Sequence, residues 1–417
     1  MGANIRGNDE VSILLVGIGG YGGNYIKALF DDARAGPYKP FKVAGAVDVD
    51  GPARGVAASY GVPFYETIDA FYAENGADLA IISTPIYLHC EQTLACLARG
   101  SNVLCEKPLC ASIDDARKIE RAEAAAGKFV RVGYQLSFSR AVLALKADIA
   151  GGLFGKPLMF KTIVHYPRDE AYYARNGWAG RRRMPDGRLT LDSPLHNAVS
   201  HHINNMLFLL GDAPDRAAEP ASVQAELYRG NPDADNFDTA ALRCATRGGA
   251  DMLFYTSHAL AREGNYGPVC QFRFERATVV HSDEREHETF TALFDDGASK
   301  RYAPRAPDQM QKLWDCIAAS RGGPTPPSSA AAAAAEVLCV NGAQLSHPIT
   351  TIPGEYVRRI GEPGRRHTQV DGLENLLERC YDAMLLPSET CADCRPPWVS
   401  PGKIVAADEI TNINDKL

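Results

Sequence analysis

Lys107 is the residue whose type and setting point most directly to chemistry in this chain. It follows Val103–Cys105, a short apolar run that predicts a strand, and it precedes Pro108, whose ring restricts the backbone of the residue before it. Ligands of open α/β sheets bind beyond the carboxyl ends of the strands, so a lysine held there can present its ammonium group to a substrate. An isolated Glu-Lys-Pro is more often a surface turn. A functional role for Lys107 therefore depends on the surrounding sequence.

A second group of polar residues lies in the segment 191–211. Ser193-Pro194 predicts the start of a helix, with serine as the cap and proline in the first turn. At helical spacing Asn197, His201 and Asn204-Asn205 share one face. Polar groups on a buried helix face need partners, which the hydroxyl groups of a substrate would supply. A histidine there is suited to proton transfer, because its ordinary pKa of about 6.5 is close to neutral pH.

The elements that must position these residues begin with Val11–Val16, an apolar run that predicts a buried strand. It leads into a glycine-rich turn and then a helix. Gly17 permits the tight turn, Gly19 lets the backbone approach a pyrophosphate, and Gly22 lets helix and strand pack closely, with Gly20 in the same turn. A pyrophosphate would lie at the helix N-terminus, where free N–H groups favour anions. The pattern predicts dinucleotide binding.

The next predicted strand, Phe41–Val47, ends at Asp48. A carboxylate at this strand end can accept hydrogen bonds from ribose hydroxyl groups and would repel a 2′-phosphate. Asp48 therefore favours NAD as the cofactor, while Arg54, a few residues later, leaves NADP as an alternative.

A further buried strand ends at Thr84-Pro85, and His89 follows at the start of a helix. His89 is explained either as a structural residue at the helix terminus, which we favour, or as a cofactor contact. Strands alternate with helices from Val11 to Gly133, which implies a parallel sheet with right-handed crossovers.

Taken in order, these motifs resemble those of the glucose–fructose oxidoreductase / inositol dehydrogenase (Gfo/Idh/MocA) family. The resemblance rests on the glycine turn, the acidic strand end, Thr-Pro-x-x-x-His, Glu-Lys-Pro-Leu and Val132-Gly133-Tyr134-Gln135, and covers residues 11 to about 215. It implies an N-terminal Rossmann domain, a doubly wound parallel sheet, and a C-terminal α+β domain built on a large open, mainly antiparallel sheet. It also implies an NAD(P)-dependent enzyme that oxidises or reduces sugars, glycosides or cyclic polyols.

The resemblance assigns roles to individual residues. Lys107 takes the position of the family's lysine beside nicotinamide and substrate, and the Lys107-Pro108 peptide is expected to be cis. Ser137-Phe138 stands where members often carry Arg-Phe, which weakens the match there. The implied cofactor-binding residues are Gly17, Gly19, Gly20, Gly22, Asp48, Thr84, Pro85, His89, Glu106, Lys107 and Gln135.

Family members carry an Asp-x-x-x-His pair in the second domain, and two alignments compete for it. Asp192 and His196 preserve the literal pattern, whereas Asn197 and His201 preserve the distance to the Leu-Gly that ends the helix. We favour His201 as the acid/base, with Asn197 in place of the acid, and keep the other pair open. The catalytic candidates are thus Lys107, His201, Asn197, Asp192 and His196.

Substrate-binding candidates come mainly from the loop 172–183, in which aromatic residues alternate with arginines. Such a mixture suits a sugar ring and its hydroxyl or carboxylate groups, but an exposed, solvated arginine cluster explains it equally well. The candidates are Tyr134, Trp178, Arg181, Arg182 and His258, the last weighed against a role on the sheet surface.

A chain of 417 residues is too long for one core. We predict a dinucleotide-binding domain at 1–135, an α+β substrate and oligomerisation domain at 136–348, and an extension at 349–417 packed on the second domain. By the family resemblance, we expect a homodimer or homotetramer assembled through the open sheet.

Composition excludes several other classes. A net charge of −7 gives no support to nucleic acid or an anionic membrane as partner, and no apolar run is long enough to span a bilayer. With no signal sequence recognised, we expect a cytoplasmic protein. The 11 cysteines are typical of reduced thiols, and Cys391-Ala-Asp-Cys394 is a lone CxxC, so we expect free thiols and no metal centre.

Other functions stay open at the level of sequence. A cofactor-retaining glycosidase or lyase could oxidise a sugar only transiently at the same site. A non-catalytic NAD- or sugar-sensing regulator could use the same fold, although it would not need both Lys107 and the polar helix face. An imine or biliverdin-type reductase fits that polar face less well.

Overall fold

The computed structural model describes residues 10–283, 289–303 and 309–417, which form two compact units. The N-terminal unit holds the residues up to Cys110, Asp115–Phe138 and the segment that ends at Ala330. The open-sheet unit holds Ala111–Asp114, the chain from Ser139 onward, and Ala331–Leu417.

The N-terminal unit is built on a parallel sheet in the order β3-β2-β1-β4-β5-β6. The order reverses beside β1, so the turns after β1 and β4 lie at the switch point where open sheets bind ligands. The doubly wound parallel fold is as predicted. Its elements are β1 (Val11–Val16), α1 (Gly23–Leu29), α2 (Asp32–Ala35), β2 (Phe41–Val47), α3 (Gly51–Ser59), β3 (Phe64–Tyr65), α4 (Ile68–Glu74), β4 (Leu79–Ile82), α5 (His89–Ala98), β5 (Asn102–Cys105), α6 (Ile113–Ala126) and β6 (Val130–Val132).

Helices cover both faces of this sheet, which explains why its strands read as continuous apolar runs. Ile13, Leu14, Leu15 and Val16 of β1 are all at most 1% exposed. A strand that faced water on one side would instead alternate apolar and polar residues.

The open-sheet unit contains a mixed sheet in the order β14-β13-β12-β11-β7-β10-β9-β8-β15, with β18 paired to β8. The pairs β10–β7 and β15–β8 are parallel and the others are antiparallel, as predicted for a large, mainly antiparallel sheet. The elements from residue 140 onward are α7 (Arg140–Ala150), β7 (Pro157–His165), α8 (Glu170–Ala174), α9 (Ser200–Leu209), β8 (Pro220–Arg229), β9 (Thr239–Thr246), β10 (Asp251–Ser257), β11 (Tyr266–Phe274), β12 (Ala277–Ser282), β13 (Phe290–Phe294), β14 (Ser299–Tyr302), α10 (Gln311–Ser320), α11 (Ala330–Ser346), β15 (Thr350–Thr351), β16 (Val357–Ile360), β17 (His367–Val370), α12 (Leu373–Ala383), β18 (Val405–Ala406) and α13 (Ile413–Lys416).

Helix α10 returns to the N-terminal unit. Leu313, Trp314 and Ile317 are buried in the same core as Ile13 of β1, and the Trp314 ring stacks on Tyr38 at 4.8 Å between centroids. The predicted boundaries at 135/136 and 348/349 assign α10 to the second domain, and so they do not include its return to the N-terminal unit. The apolar spacing of α10 predicts a helix with a buried face, but it does not say which core that face joins.

The segment after residue 349 packs on the open sheet. Leu373, Leu377 and Cys380 of α12 share a core with Leu253 and Tyr255 of β10. The chain thus covers part of the sheet surface through which we expected subunits to associate. Assembly through the open sheet stays a prediction.

Cys391 and Cys394 correct one prediction, because they are joined by a disulfide and are not free thiols. The segment between them forms a short turn, Ala392–Cys394, which brings the two Cα atoms to 5.3 Å, within the range that a disulfide requires. A CxxC sequence is compatible with the reduced, oxidised and metal-bound forms, so the spacing did not distinguish them. The remaining nine cysteines form no disulfide.

Candidate functional site

The glycine turn after β1 has a backbone that only glycine adopts without strain. Gly17 has a φ of +81°, and a side chain there would lie 2.7 Å from the Ser83 carbonyl oxygen. A Cβ on Gly22 would overlap the Gly17 carbonyl oxygen, whereas one on Gly20 would meet open space. The turn is thus closed on its inner side and open on its outer side. This is the shape that lets a pyrophosphate approach the backbone.

Asp48 lies at the end of β2 and contacts this turn. Its Oδ2 accepts hydrogen bonds from the backbone N–H groups of Ile18 (2.8 Å) and Gly19 (3.1 Å), and its Oδ1 accepts one from Asp50 (3.0 Å). The carboxylate is therefore held beside the position where an adenosine ribose would lie. Its remaining lone pairs can accept hydrogen bonds from ribose hydroxyl groups.

Arg54, the residue that left NADP open, is engaged elsewhere. Its guanidinium forms an ion pair with Glu66 at 3.0 Å and lies 4.4 Å from the Phe64 ring centroid. A 2′-phosphate would meet the Asp48 carboxylate without a free arginine to compensate for it. The local charges therefore fit NAD better than NADP.

His89 links two loops of the N-terminal unit. It is 1% exposed, and its Nδ1 and Nε2 lie 2.8 Å from the carbonyl oxygens of Pro108 and Thr84, respectively. Both partners are carbonyl oxygens, so the ring can donate to one of them in either tautomer. Thr84 is also held through its hydroxyl, which donates to Gln92 Oε1 at 2.5 Å. These contacts support the structural role that we favoured for His89, and its predicted cofactor contact stays a prediction.

Glu106 is a buried carboxylate beside Lys107. It accepts hydrogen bonds from the Tyr25 hydroxyl (2.5 Å) and from the Lys312 ammonium group, and the Lys107 N–H donates to it at 3.2 Å. Burial alone would raise the pKa of Glu106, but the charge and hydrogen bond of Lys312, with the Tyr25 hydrogen bond, lower it below its ordinary value. Glu106 is therefore ionised at neutral pH, and its carboxylate is fixed in place by the hydrogen bonds from Tyr25 and Lys312.

Lys312 is a residue that the sequence did not single out. It lies on α10, is 2% exposed, and also faces the Tyr21 ring at 4.8 Å. A lysine inside a helix pattern is usually solvated, and nothing near it in sequence indicates a buried partner at position 106. Only the return of α10 to the N-terminal unit brings the two charges together.

Lys107 itself is partly exposed at the end of β5, and the Lys107–Pro108 peptide is cis, as the resemblance implied. Gln135 is also partly exposed. Tyr134, a predicted substrate residue, is fully buried in the N-terminal unit, so its side chain has no surface to offer a substrate in this structure.

Asp192 and Asn197, taken from the two competing alignments, are bonded to each other in the open-sheet unit. Asn197 Nδ2 donates to Asp192 Oδ1 at 2.7 Å, and the Gly180 N–H donates to Asp192 Oδ2 at 2.6 Å. Asp192 is 2% exposed and lies 3.9 Å from the Arg175 guanidinium. The two residues therefore form one polar unit. The choice between the two alignments does not separate them, because both residues lie at the same place in the structure.

The two candidate histidines differ in their surroundings. His196 is fully buried, with Nδ1 3.3 Å from Oε1 of Glu336, which is also fully buried. His201 is partly exposed near the start of α9. His196 therefore has the setting of an interior structural residue, whereas His201 retains a surface that a ligand can reach.

The helix that carries these histidines is interrupted, which the sequence did not predict. Ser193 caps its start by accepting from the His196 N–H at 3.2 Å, as predicted, but Pro194–Ala198 forms a π-helical turn and α9 begins only at Ser200. The wider turn changes the rotation between His196 and His201 relative to a continuous α-helix.

The aromatic and arginine residues of the loop 172–183 are partly ordered into a stack. Arg175 lies 3.6 Å from the Tyr172 ring centroid and 5.4 Å from that of Trp178. Arg181 is exposed, in the manner of a solvated arginine. The loop thus contains both an ordered aromatic–arginine stack, as a sugar-binding loop would, and a solvated arginine. The arginine in the stack is Arg175, which was not among the predicted residues.

His258 lies beside this stack. It is 3% exposed, and its Nδ1 is 3.1 Å from the Tyr173 hydroxyl. Burial, together with Arg168 and Arg175, holds the pKa of His258 well below its ordinary value. His258 is therefore neutral at physiological pH and serves as a hydrogen-bonding group there.

His165, at the end of β7, is a further polar residue that sequence reasoning missed. It is fully buried, and neither ring nitrogen has a hydrogen-bond partner among the described residues. Burial, with a smaller effect from Arg262, lowers the pKa of His165 to about 3. A histidine at the end of a strand carries no signal in sequence that would separate it from a core residue.

A doubly wound dinucleotide-binding unit followed by a large open sheet defines a class of two-unit oxidoreductase folds. Residues 11–134 match the family model described as an oxidoreductase family with an NAD-binding Rossmann fold, and residues 142–280 match the Gfo/Idh/MocA C-terminal domain. The chain belongs to the Gfo/Idh/MocA family, as the motifs implied.

Curated relatives of the chain include two kinds of carbohydrate enzyme. Inositol 2-dehydrogenase of Rubrobacter xylanophilus is 33% identical over 165 residues, which are 38% of this chain and 45% of that protein. The 1,5-anhydro-D-fructose reductase of Ensifer adhaerens is 31% identical over 153 residues, which are 36% of this chain and 43% of that protein. The matched part of the chain thus spans less than half the length of these relatives.

Solved structures support the fold over more of the chain. The WlbA dehydrogenase from Chromobacterium violaceum, in complex with NADH and UDP-GlcNAcA, has a TM-score of 0.66 at 21% identity and covers 81% of this chain and 94% of its own. Levoglucosan dehydrogenase in complex with NADH and L-sorbose has a TM-score of 0.65 at 18% identity, with 80% and 96% covered. At these identities the likeness concerns the fold.

Within residues 10–283, 289–303 and 309–417, no helix combines the length and apolar character needed to cross a bilayer. In the same ranges, no group of three or more His, Cys, Asp or Glu side chains is placed to hold a metal ion.

Proposed function

We propose that this protein is an NAD-dependent oxidoreductase that transfers a hydride between nicotinamide and a secondary alcohol or ketone of a sugar, glycoside or cyclic polyol. One observation carries the proposal. In the N-terminal unit, a glycine turn open on its outer side, an anchored Asp48 and a partly exposed Lys107 all follow strands of one parallel sheet. The family and the carbohydrate enzymes among its relatives support this interpretation.

The residues of the N-terminal unit fit the cofactor. The turn at Gly17, Gly20 and Gly22 would receive the pyrophosphate, and Asp48 would accept hydrogen bonds from the adenosine ribose. Bound NAD⁺ supplies the hydride acceptor at its nicotinamide ring. The protein supplies position and proton transfer.

Lys107 would orient the reacting hydroxyl group and stabilise negative charge on its oxygen as the hydride leaves. The adjacent carboxylate of Glu106 is held in place by hydrogen bonds from Tyr25 and Lys312. We assign Glu106 and Lys312 as positioning residues and Lys107 as a catalytic one.

His201 would accept the hydroxyl proton during oxidation and return it during reduction. Its setting favours this role over His196, which is paired with Glu336 in the interior. Asp192 and Asn197, hydrogen-bonded to each other, would orient the substrate or the histidine. Arg175, Tyr172 and Trp178 would contact a sugar ring, because aromatic faces suit its C–H groups and a guanidinium suits its hydroxyl or carboxylate groups.

The test is the rate of NADH formation at 340 nm with a panel of sugars, glycosides and cyclic polyols. We expect at least one panel member to support turnover, and Lys107→Ala to lower kcat by ~100-fold or more while NAD binding persists. Lys128→Ala is the matched control, since Lys128 is also a partly exposed lysine of the N-terminal unit. Full turnover by Lys107→Ala would exclude the assigned role.

A further inference from the structure

A cavity of about 740 Å³ lies in the open-sheet unit, beside the end of α11 and the segment 403–417. We call it the basic cavity. Its polar lining comes from His347 and from six further residues: Arg182, Arg229, Asp235, Gln344, Lys403 and Lys416. Leu345 and Ile349 add an apolar part to the wall. Its lining includes none of the residues to which we assign hydride or proton transfer.

The cations of the basic cavity are not held in ion pairs by the carboxylate side chains that the structure describes. Among the described residues, Arg182, Arg229, Lys403 and Lys416 form no ion pair. Arg229 donates to the carbonyl oxygen of Asp235 (3.2 Å) and to Thr351 Oγ1 (2.8 Å), and Lys416 donates to the Glu409 carbonyl oxygen (2.7 Å). These acceptors are neutral. Four cationic side chains and one carboxylate side chain, that of Asp235, thus line a concave space, to which Leu417 at the end of the chain also contributes.

Asp235 forms no ion pair with either arginine of the basic cavity. Its Oδ2 accepts from the Arg182 backbone N–H at 3.0 Å. Like charges placed together in a concavity raise the local concentration of ions of opposite charge. The lining therefore favours an anion.

Gln344 gives a second, independent indication of a ligand. Its side chain is 6% exposed and lines the cavity, and its Nε2 donates to Asn236 Oδ1 at 2.8 Å. Its Oε1 is buried and has no hydrogen-bond partner among the described residues, and the same is true of Arg182 Nε. Buried polar atoms are nearly always hydrogen-bonded. An amide oxygen is a hydrogen-bond acceptor, so a ligand that satisfies Gln344 must supply a donor such as a hydroxyl group.

We propose that the basic cavity binds a small organic anion that carries a phosphate or carboxylate group and at least one hydroxyl group. The arginines and lysines would bind the anionic group, for which guanidinium groups are particularly suited, and Gln344 Oε1 would accept from the hydroxyl. The volume lies within the range of small-molecule sites. This site goes beyond the proposed hydride transfer and does not depend on it.

Calorimetric titration of the full chain tests the proposal, with glucose 6-phosphate and glucuronate as anionic probes and glucose as the uncharged comparison. We expect saturable binding of at least one anion, weakening as salt rises, and no such salt-sensitive binding of glucose at the same concentrations. Lys403→Gln should weaken anion binding about fivefold or more, because one cation of the cavity is lost. Lys156→Gln, which changes an exposed lysine of the same unit outside the cavity, should bind as the unaltered protein does.

Two further variants separate this site from the site of hydride transfer. Lys107→Ala should bind the anion with unchanged affinity, since Lys107 does not line the cavity. Gln344→Met, which removes the buried acceptor with little change in volume, should weaken binding of the hydroxylated anions and leave that of inorganic phosphate nearly unchanged. Equal affinities for Lys403→Gln and Lys156→Gln, loss of binding in Lys107→Ala, or no saturable anion binding would overturn the proposal. Because the readout is heat of binding, failure of the proposed oxidoreductase activity would not be mistaken for failure of this site.

Discussion

At the scale of residues, the chemistry of the N-terminal unit centres on a buried pair of opposite charges beside the lysine that we propose as catalytic. Glu106 accepts from Lys312 and Tyr25 while its neighbour Lys107 stays partly exposed. Glu106 and Lys312 are each less than a tenth exposed, so each offsets the charge of the other in the interior. The pair fixes the Glu106 carboxylate in the interior, while the adjacent Lys107 lies at a partly exposed position.

Lys312→Met removes the cation from this pair. An ion left alone in the interior is strongly unfavourable, so we expect a loss of unfolding free energy of about 3–5 kcal/mol, measured by urea denaturation. The double variant Lys312→Met/Glu106→Gln should recover part of that loss, because the unpaired carboxylate is then absent. Equal stability of Lys312→Met and the unaltered protein would mean that the pair does not form.

The pH dependence of stability follows from the sign of the Glu106 shift. Its pKa is lowered in the folded protein, mainly by Lys312 acting against burial, so the unfolded chain binds the proton more tightly. The contribution of Glu106 is present above its unfolded pKa of about 4.3 and is lost as the pH falls through the folded value. The difference in unfolding free energy between the unaltered protein and Glu106→Gln should therefore shrink as the pH is lowered from 6 toward and below about 4. A difference that grows on acidification would contradict the assignment.

At the scale of elements, the interrupted helix separates two histidines that the sequence left undecided. The π-helical turn Pro194–Ala198 places His196 inside, against Glu336, and α9 begins afterwards with His201 at a partly exposed position. The capping serine and the helix end were predictable, because their residue types have fixed preferences. The π turn was not, since it depends on packing against α11 and on the bonds that Asp192 makes to Gly180 and Asn197.

Substitution of the two histidines distinguishes their roles. We expect His201→Asn to lower kcat by ~100-fold or more with little change in Tm, because it removes the proposed proton acceptor from a partly exposed position. His196→Asn should lower Tm and have the smaller effect on kcat, since it removes a buried partner of Glu336. Steady-state kinetics and thermal unfolding of both variants measure this, and the reverse pattern would favour the Asp192–His196 alignment.

At the scale of the whole molecule, the order of elements was more predictable than their long-range partners. The parallel sheet was predictable from apolar strands that alternate with helices. The glycine turn was predictable because side chains at Gly17 and Gly22 would collide with the backbone. The buried setting of Tyr134, the pairing of Lys312 with Glu106 and the Cys391–Cys394 disulfide were not predictable. Each depends on which distant segments meet, or on an oxidation state that spacing leaves open.

The segment after residue 349 contributes to the stability of the open-sheet unit. Leu377 of α12 is fully buried against the sheet, so Leu377→Ala should lower the free energy of unfolding by about 2–5 kcal/mol. Ile360→Ala is the control, because Ile360 is 48% exposed and its truncation should have little effect. If Leu377→Ala proves neutral in chemical denaturation, the segment is a loosely attached extension.

The transfer of a labelled hydrogen tests the central claim most directly. A substrate found with the panel is prepared with deuterium on the carbon that bears the reacting hydroxyl group, and it is incubated with NAD⁺ and the protein. The account predicts NADH that carries the deuterium at the nicotinamide ring, detected by mass spectrometry, and loss of this product with Lys107→Ala. Conversion of the substrate without net NADH, or with NADH free of deuterium, would contradict a direct and net hydride transfer.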